Sequence, residues 1–129
     1  MTNSILIFGG ESDIALAVKA AEPSTILIPY EDCDVRVSSE ISEHLKKHKP
    51  KAVVNCAGVS NVQLVKNSDI ERWEQEIAVN LTGSYRIARE CANLGIDTMV
   101  FIASVAGKYG KPEHSGYSAS KCGVISLVQ

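Results

Sequence analysis

The sequence predicts an α/β fold, a doubly wound parallel sheet. Three observations carry this. Four short runs are almost wholly apolar rather than alternating: Ile5–Phe8, Thr25–Ile28, Ala52–Asn55 and Thr98–Ile102. Stretches with helical spacing separate them. Glycine or small polar residues follow three of the runs, at Gly9-Gly10, Asn55 to Gly58 and Ser104. Strands buried on both faces read as unbroken apolar runs, and right-handed crossovers between parallel strands cover both faces of the sheet. In such sheets a ligand sits beyond the carboxyl ends of the strands.

The elements follow in order. Ile5–Phe8 reads as a buried strand ending at Gly9-Gly10. Ser12 or Asp13 caps the next helix, whose apolar content is Ile14, Leu16, Ala17, Val18 and Ala20 and which Pro23 ends. Thr25–Ile28 is a second strand, stopped by Pro29. Ser38 to Lys49 is helical, with Ile41 and Leu45 one turn apart, and closes at Pro50. Ala52–Asn55 is a third strand. Residues 69–94 form a long helical stretch ended by Gly95, Thr98–Ile102 a fourth, buried strand, and a last helix begins near Ser115.

The 129 residues suffice for one core and are read as a single domain over 1–129. Hydrophobic residues make up 45% and charged ones 22%, as in soluble globular proteins. The net charge of −2, with both signs interspersed, argues against a nucleic-acid surface. Cys33, Cys56, Cys91 and Cys122 lie far apart and form no metal or disulfide pattern. Buried reduced thiols and a cytoplasmic location follow. The first apolar run is too short for a signal peptide, and no stretch reaches membrane-span length.

The turn Phe8 to Ala15 joins a strand to a helix. A helix N-terminus there can hold a pyrophosphate through free N–H groups, with glycine permitting close approach. A plain connection would also favour glycine. Asp13 repels a phosphate unless its carboxylate turns back to cap the helix, which is the expectation here. Glu31 and Asp32 lie near the distance at which an acid holds the ribose of NAD, and Arg36 near where a 2′-phosphate would be held. As solvated loop charges these three need no ligand.

Tyr117 and Lys121 stand four apart and share a helix face. A nearby lysine cation favours tyrosinate, which suits proton transfer at a carbonyl or alcohol oxygen. By itself the pattern describes a surface helix at least as well. Further features shift the balance. Ser104 ends a strand thirteen residues before Tyr117, and Asn55-Cys56-Ala57-Gly58 ends another. Asn80 interrupts an apolar helical stretch, which is unfavourable unless its side chain bonds a freed carbonyl or a water.

With these residues in hand, the sequence resembles the short-chain dehydrogenase/reductase family. Gly9 to Ala15 match its glycine turn, Asp34-Val35 its adenine-side pair and Asn55 to Gly58 its Asn-Asn-Ala-Gly motif. Asn80, Ser104, Tyr117 and Lys121 match its Asn-Ser-Tyr-Lys tetrad, so the resemblance spans essentially the whole chain. It implies an NAD(P)-binding Rossmann fold and hydride transfer between NAD or NADP and a carbonyl/alcohol substrate. Tyr117 is then the general acid/base, and Lys121 binds the nicotinamide ribose. Ser104 polarises the substrate carbonyl, and Asn80 holds a relay water. Gly9, Ser12, Asp13 and Ile14 belong to the pyrophosphate turn, Asp34 and Val35 to the adenine, and Asn55, Ala57 and Gly58 to the adenosine ribose. The helices over 69–94 and 115–129 correspond to the family's dimer surfaces, implying a homodimer or homotetramer. No metal, nucleic acid or membrane is implied.

Departures from the family pattern are specific. Asp13 and Ala15 replace glycines, Cys56 replaces an asparagine, and little chain separates Ile28 from Asp34. The final helix keeps apolar register to Gln129, whereas the family continues into further strands and a substrate loop. The expectation is a member lacking the usual C-terminal strands, truncated in the final helix and relying on self-association. Two other readings remain at this point. One is a catalytically incomplete nucleotide-binding module or fragment, and the other a sugar-nucleotide epimerase/reductase relative.

Overall fold

The computed structural model describes residues 2–129, which form two compact units. The first comprises the chain up to Ala57 together with Arg86–Ile102. It holds β1 (Ile5–Phe8), α1 (Asp13–Ala21), β2 (Ile26–Ile28), α2 (Ser38–His48), β3 (Ala52–Asn55) and β4 (Met99–Phe101). The strands are all parallel in the order β2-β1-β3-β4, with Phe8 opposite both Ile28 and Asn55 and Asn55 opposite Phe101. The chain leaves β1 toward β2, then crosses back over β1 to β3. With right-handed crossovers this sends α1 to one face and α2 to the other. The reversal between β1 and β3 is the switch point where ligands bind in such sheets.

The core explains the apolar runs. Leu6, Ile7 and Phe8 of the central β1 are all fully buried, as is Ile41 of α2, while Val53 of β3 and Leu45 of α2 are nearly so. Each such side chain contributes about 1.5–3 kcal/mol relative to exposure. Ala15, fully buried on α1, is small enough to bring that helix close to the sheet. The body of α4 (Gly83–Asn93) adds Ile87 and Cys91, and its Arg86 Nη1 donates to Ser38 Oγ of α2 at 3.0 Å.

Three expectations are corrected in this unit. β4 is not a buried strand: Val100 is half exposed, because β4 is paired only with β3. The apolar residues Ile14 and Leu16 of α1 face outward, since each is turned about 100° away from the buried Ala15 face. The cap of α1 is Ser12, whose Oγ accepts from Ala15 N–H at 3.2 Å. Asp13 is the first helical residue and stays exposed, where its charge complements the helix dipole without capping.

The second unit comprises Gly58–Tyr85 and Ala103–Gln129. A 3-10 turn (Val65–Asn67) leads to α3 (Ile70–Glu76), capped by Asp69. The predicted long helix is present over this stretch but is not regular. Ile77–Thr82 form a π segment between α3 and the first turn of α4. Two further helices follow, α5 (Val105–Tyr109), which the sequence reading does not anticipate, and α6 (Ser115–Leu127). A methyl group at Gly107 would come within 2.6 Å of the Lys121 backbone, so only glycine lets α5 lie this close to α6. Among the described residues no helix is long and apolar enough to cross a membrane.

Candidate active site

Of the residues singled out from sequence, Gly9, Ser12, Asp13, Ile14, Asp34, Val35, Asn55 and Ala57 lie in the first unit. Gly58, Asn80, Ser104, Tyr117 and Lys121 lie in the second.

In the first unit the turn after β1 is tight. Gly9 has φ +74°, a left-handed conformation that favours glycine, and its carbonyl accepts from Ser12 N–H at 3.1 Å. A methyl at Gly9 would lie 2.6 Å from the Cys56 carbonyl carbon and 2.7 Å from Ala57 Cα. The segment after β3 therefore rests directly on this glycine. Cys56 N–H donates to the Phe8 carbonyl at 2.9 Å, and Asn55, which is buried, accepts from Ala57 N–H through Oδ1 at 3.0 Å. At the start of α1, the amides of Ser12 and Ala15 have acceptors in the chain. Those of Asp13 and Ile14 have none among the described residues and open at an exposed helix N-terminus. Two free amides beside a glycine turn fit the pyrophosphate of a nicotinamide dinucleotide.

Asp34 and Arg36 form a closed pair. The guanidinium donates to Asp34 from Nε at 3.0 Å and from Nη2 at 2.8 Å, and the Arg36 backbone N–H adds a bond at 2.9 Å. These hydrogen bonds, the side-chain ones foremost, hold the Asp34 carboxyl below its ordinary range. Nη2 also donates to the Tyr30 hydroxyl at 3.3 Å. Val35 is buried and anchors the loop. Glu31 and Asp32 remain exposed.

In the second unit Asn80 is the organising residue. It is buried in the middle of the π segment. Its Oδ1 accepts from Val59 N–H at 2.8 Å. Its Nδ2 donates to the Val59 carbonyl at 2.8 Å and to Ser120 Oγ at 3.0 Å. Ser120 Oγ in turn donates to the Tyr117 carbonyl at 2.8 Å. The mid-helix asparagine expected to bond a freed carbonyl or a water instead ties the loop after Gly58 to α6. Lys121 is buried, with Nζ 5.7 Å from the centre of the Tyr117 ring. A methyl at Gly58 would lie 3.3 Å from Asn80 Oδ1 and 3.7 Å from Lys121 Nζ, so the three residues meet. Tyr117 is half-buried.

Ser104 does not end β4 directly. It caps α5, its Oγ accepting from Ala106 N–H at 3.1 Å. That bond uses a lone pair and leaves the hydroxyl proton available as a donor. Sequence reasoning missed Ser120, although it lies between the two residues singled out on α6. It also missed Glu76, which a second polar residue one turn before Asn80 could have signalled. Among the described residues no cluster of His, Cys, Asp and Glu could hold a metal ion.

Known proteins resemble this chain in sequence and in fold. The family model described as short chain dehydrogenase matches residues 7–129. The chain is 34% identical over 85 residues to a (3R)-3-hydroxyacyl-CoA dehydrogenase of Rattus norvegicus, covering 62% of this chain and 33% of that protein. It is 27% identical to the 3-oxoacyl-[acyl-carrier-protein] reductase MabA of Mycobacterium tuberculosis, covering 100% of this chain and 62% of the relative. Among solved structures, the ligand-free aldohexose dehydrogenase of Thermoplasma acidophilum superposes with a TM-score of 0.82 at 22% identity, covering 97% of this chain and 58% of that one. ElxO with NADP bound gives 0.80 at 21%, covering 98% and 65%. At these identities the structural likeness shows the fold alone. The chain spans from a third to just under two thirds of the length of these proteins.

Proposed function

The chain belongs to the short-chain dehydrogenase family, and on that premise we propose that it is an NAD(P)-dependent oxidoreductase acting on a carbonyl/alcohol pair. The observation that carries the reading is the Tyr117–Lys121 pair, with the ammonium nitrogen 5.7 Å from the ring centre and Lys121 buried.

The first unit's Gly9 turn and the amides of Asp13 and Ile14 would hold the pyrophosphate of NAD or NADP. Asp34 and Val35 would flank the adenine, and Asn55, Ala57 and Gly58 the adenosine ribose. When bound, the nicotinamide supplies or accepts the hydride. In the reductive direction the Tyr117 hydroxyl gives its proton to the carbonyl oxygen, and in the oxidative direction it takes the proton from the alcohol. The Ser104 hydroxyl donates to the same oxygen and polarises it. Lys121 would hold the nicotinamide ribose. Asn80 keeps one lone pair of Oδ1 for a water, a route for returning the proton to Tyr117.

Two of the named relatives are a (3R)-3-hydroxyacyl-CoA dehydrogenase and a 3-oxoacyl-[acyl-carrier-protein] reductase, so acetoacetyl-CoA is the substrate to try first. Exposed Ile70 and Tyr85 on the helical stretch and Val128 after α6 support association of copies of this chain. The free thiols of Cys33, Cys91 and Cys122 suit a reducing compartment such as the cytoplasm. The test is titration with NADPH and NADH, followed by acetoacetyl-CoA reduction. Tyr117→Phe is expected to lower kcat by about 10²–10⁴-fold with cofactor affinity unchanged. Failure to bind either nucleotide, or full activity in Tyr117→Phe, would defeat the proposal.

A further inference from the structure

Among the described residues the proposed reaction leaves one buried carboxyl side chain unused. Glu76 ends α3, immediately before the π segment, and is 1% exposed. Its Oε1 accepts from Asn61 N–H. Its Oε2 lies against Gly116 in the first turn of α6: a methyl there would overlap this oxygen and stand 2.9 Å from Trp73 Cδ1. A carboxylate is costly to bury without compensation. Here the Asn61 amide provides one hydrogen bond. The start of α6 provides the positive end of a helix whose N-cap residue, His114, makes no side-chain capping bond.

The arrangement repeats one turn later. Asn80 lies four residues after Glu76, and Ser120 four after Gly116. Glu76 meets Asn61 and Gly116, and Asn80 meets Val59 and Ser120. Two rungs thus join the same loop, the same helical stretch and α6. The residue after each contact on α6 is one of the pair, Tyr117 after Gly116 and Lys121 after Ser120. We infer that Glu76 is a positioning residue for Tyr117: through Gly116 it sets where the first turn of α6 rests, as Asn80 does for the turn carrying Lys121. Gly116 belongs to the device, because any side chain there displaces the carboxylate. The inference rests on the proposed role of Tyr117 as proton carrier.

The experiment uses the full chain with Glu76→Gln, Glu76→Leu and Gly116→Ala. Trp73 is the sole tryptophan and lies beside Gly116, so its emission reports this joint independently of activity. Glu76→Leu and Gly116→Ala are expected to shift that emission. They should also lower kcat for NADPH-dependent reduction of acetoacetyl-CoA at least about tenfold, the cost of a misplaced reacting group. The Michaelis constant for NADPH should stay unchanged. Glu76→Gln keeps an oxygen for Asn61 N–H and should retain wild-type emission and most of kcat. Gly116→Ala keeps the test available if Glu76→Leu fails to fold. Equal losses in Gln and Leu variants, or wild-type kcat in both Glu76→Leu and Gly116→Ala, overturn the inference. No turnover by the wild-type chain overturns the catalytic reading beneath it. Unchanged Trp73 emission in Leu and Ala variants overturns the joint itself.

Discussion

Asn80 and Val59 exchange two hydrogen bonds, each 2.8 Å long, with the asparagine amide mimicking a neighbouring strand to the Val59 backbone. The remaining amide proton reaches Ser120 on α6. One side chain therefore satisfies a loop and tethers a helix. It does so from a π segment, a helical form that commonly marks functional sites.

Replacing Asn80 by Leu strands both polar groups of Val59 and the Ser120 hydroxyl away from their partner. Ser120 keeps its bond to the Tyr117 carbonyl, and each part-buried Val59 group so abandoned costs up to about 1–3 kcal/mol. Chemical denaturation is expected to show a lower midpoint for Asn80→Leu than for Asn80→Asp, which keeps the acceptor for Val59 N–H. Equal midpoints would contradict the paired-bond account.

Gly9→Ala meets two penalties together. The backbone at φ +74° disfavours an L side chain, and the methyl would press on Cys56 and Ala57. Strained backbone of this kind costs about 1–3 kcal/mol. The expected outcome is reduced thermal stability and loss of nicotinamide-nucleotide binding, measured by fluorescence titration. Gly110→Ala is the control, since φ there is +70° but nothing lies within 4 Å of the added carbon. It should lose some stability but bind nucleotide normally.

The Asp34–Arg36 pair has a pH signature. The folded Asp34 carboxyl sits below its ordinary range, chiefly through the Arg36 hydrogen bonds. The pair therefore contributes stability above the unfolded carboxyl pKa and loses it as pH falls through the folded one. Both side chains are partly exposed, at 38% and 24%, so the contribution is at most about 1 kcal/mol. Carbon-detected NMR titration of Arg36→Gln is expected to move the Asp34 midpoint up toward the ordinary value. An unmoved midpoint would rule out the guanidinium as the cause.

Burial pushes the thiols of Cys33 and Cys91 up to about 12. Thiolate is the reactive form, so both should resist alkylation near neutral pH. Cys122 is exposed on α6 and should react first. Mass spectrometry after brief iodoacetamide treatment checks the order. Early modification of Cys33 or Cys91 would contradict their burial in the first unit.

Much of this protein is written locally. The apolar runs of β1 and β3 mark central strands because residues buried on both faces leave no room for alternation. The pattern Tyr117-x-x-x-Lys121 sets two side chains on one helix face by the helical repeat alone. Asn80 stands out because its neighbours are apolar. What depends on pairing and contact is not local. Ser12 and Asp13 are both good caps, and backbone geometry chose Ser12. Thr98–Ile102 reads as a buried strand, but β4 has a single strand neighbour, which leaves Val100 half exposed. The widening of the helix into a π segment serves bonds to Val59 and Ser120, residues 21 and 40 positions away. Glu76 reads as an ordinary surface charge until Asn61 and Gly116 close around it. The sequence by itself determined the fold class and the shared helix face of Tyr117 and Lys121, because both rest on spacing along the chain. Only the tertiary structure decided that Asn80 and Glu76 join the loop after Gly58 to α6, because those contacts link segments far apart in sequence.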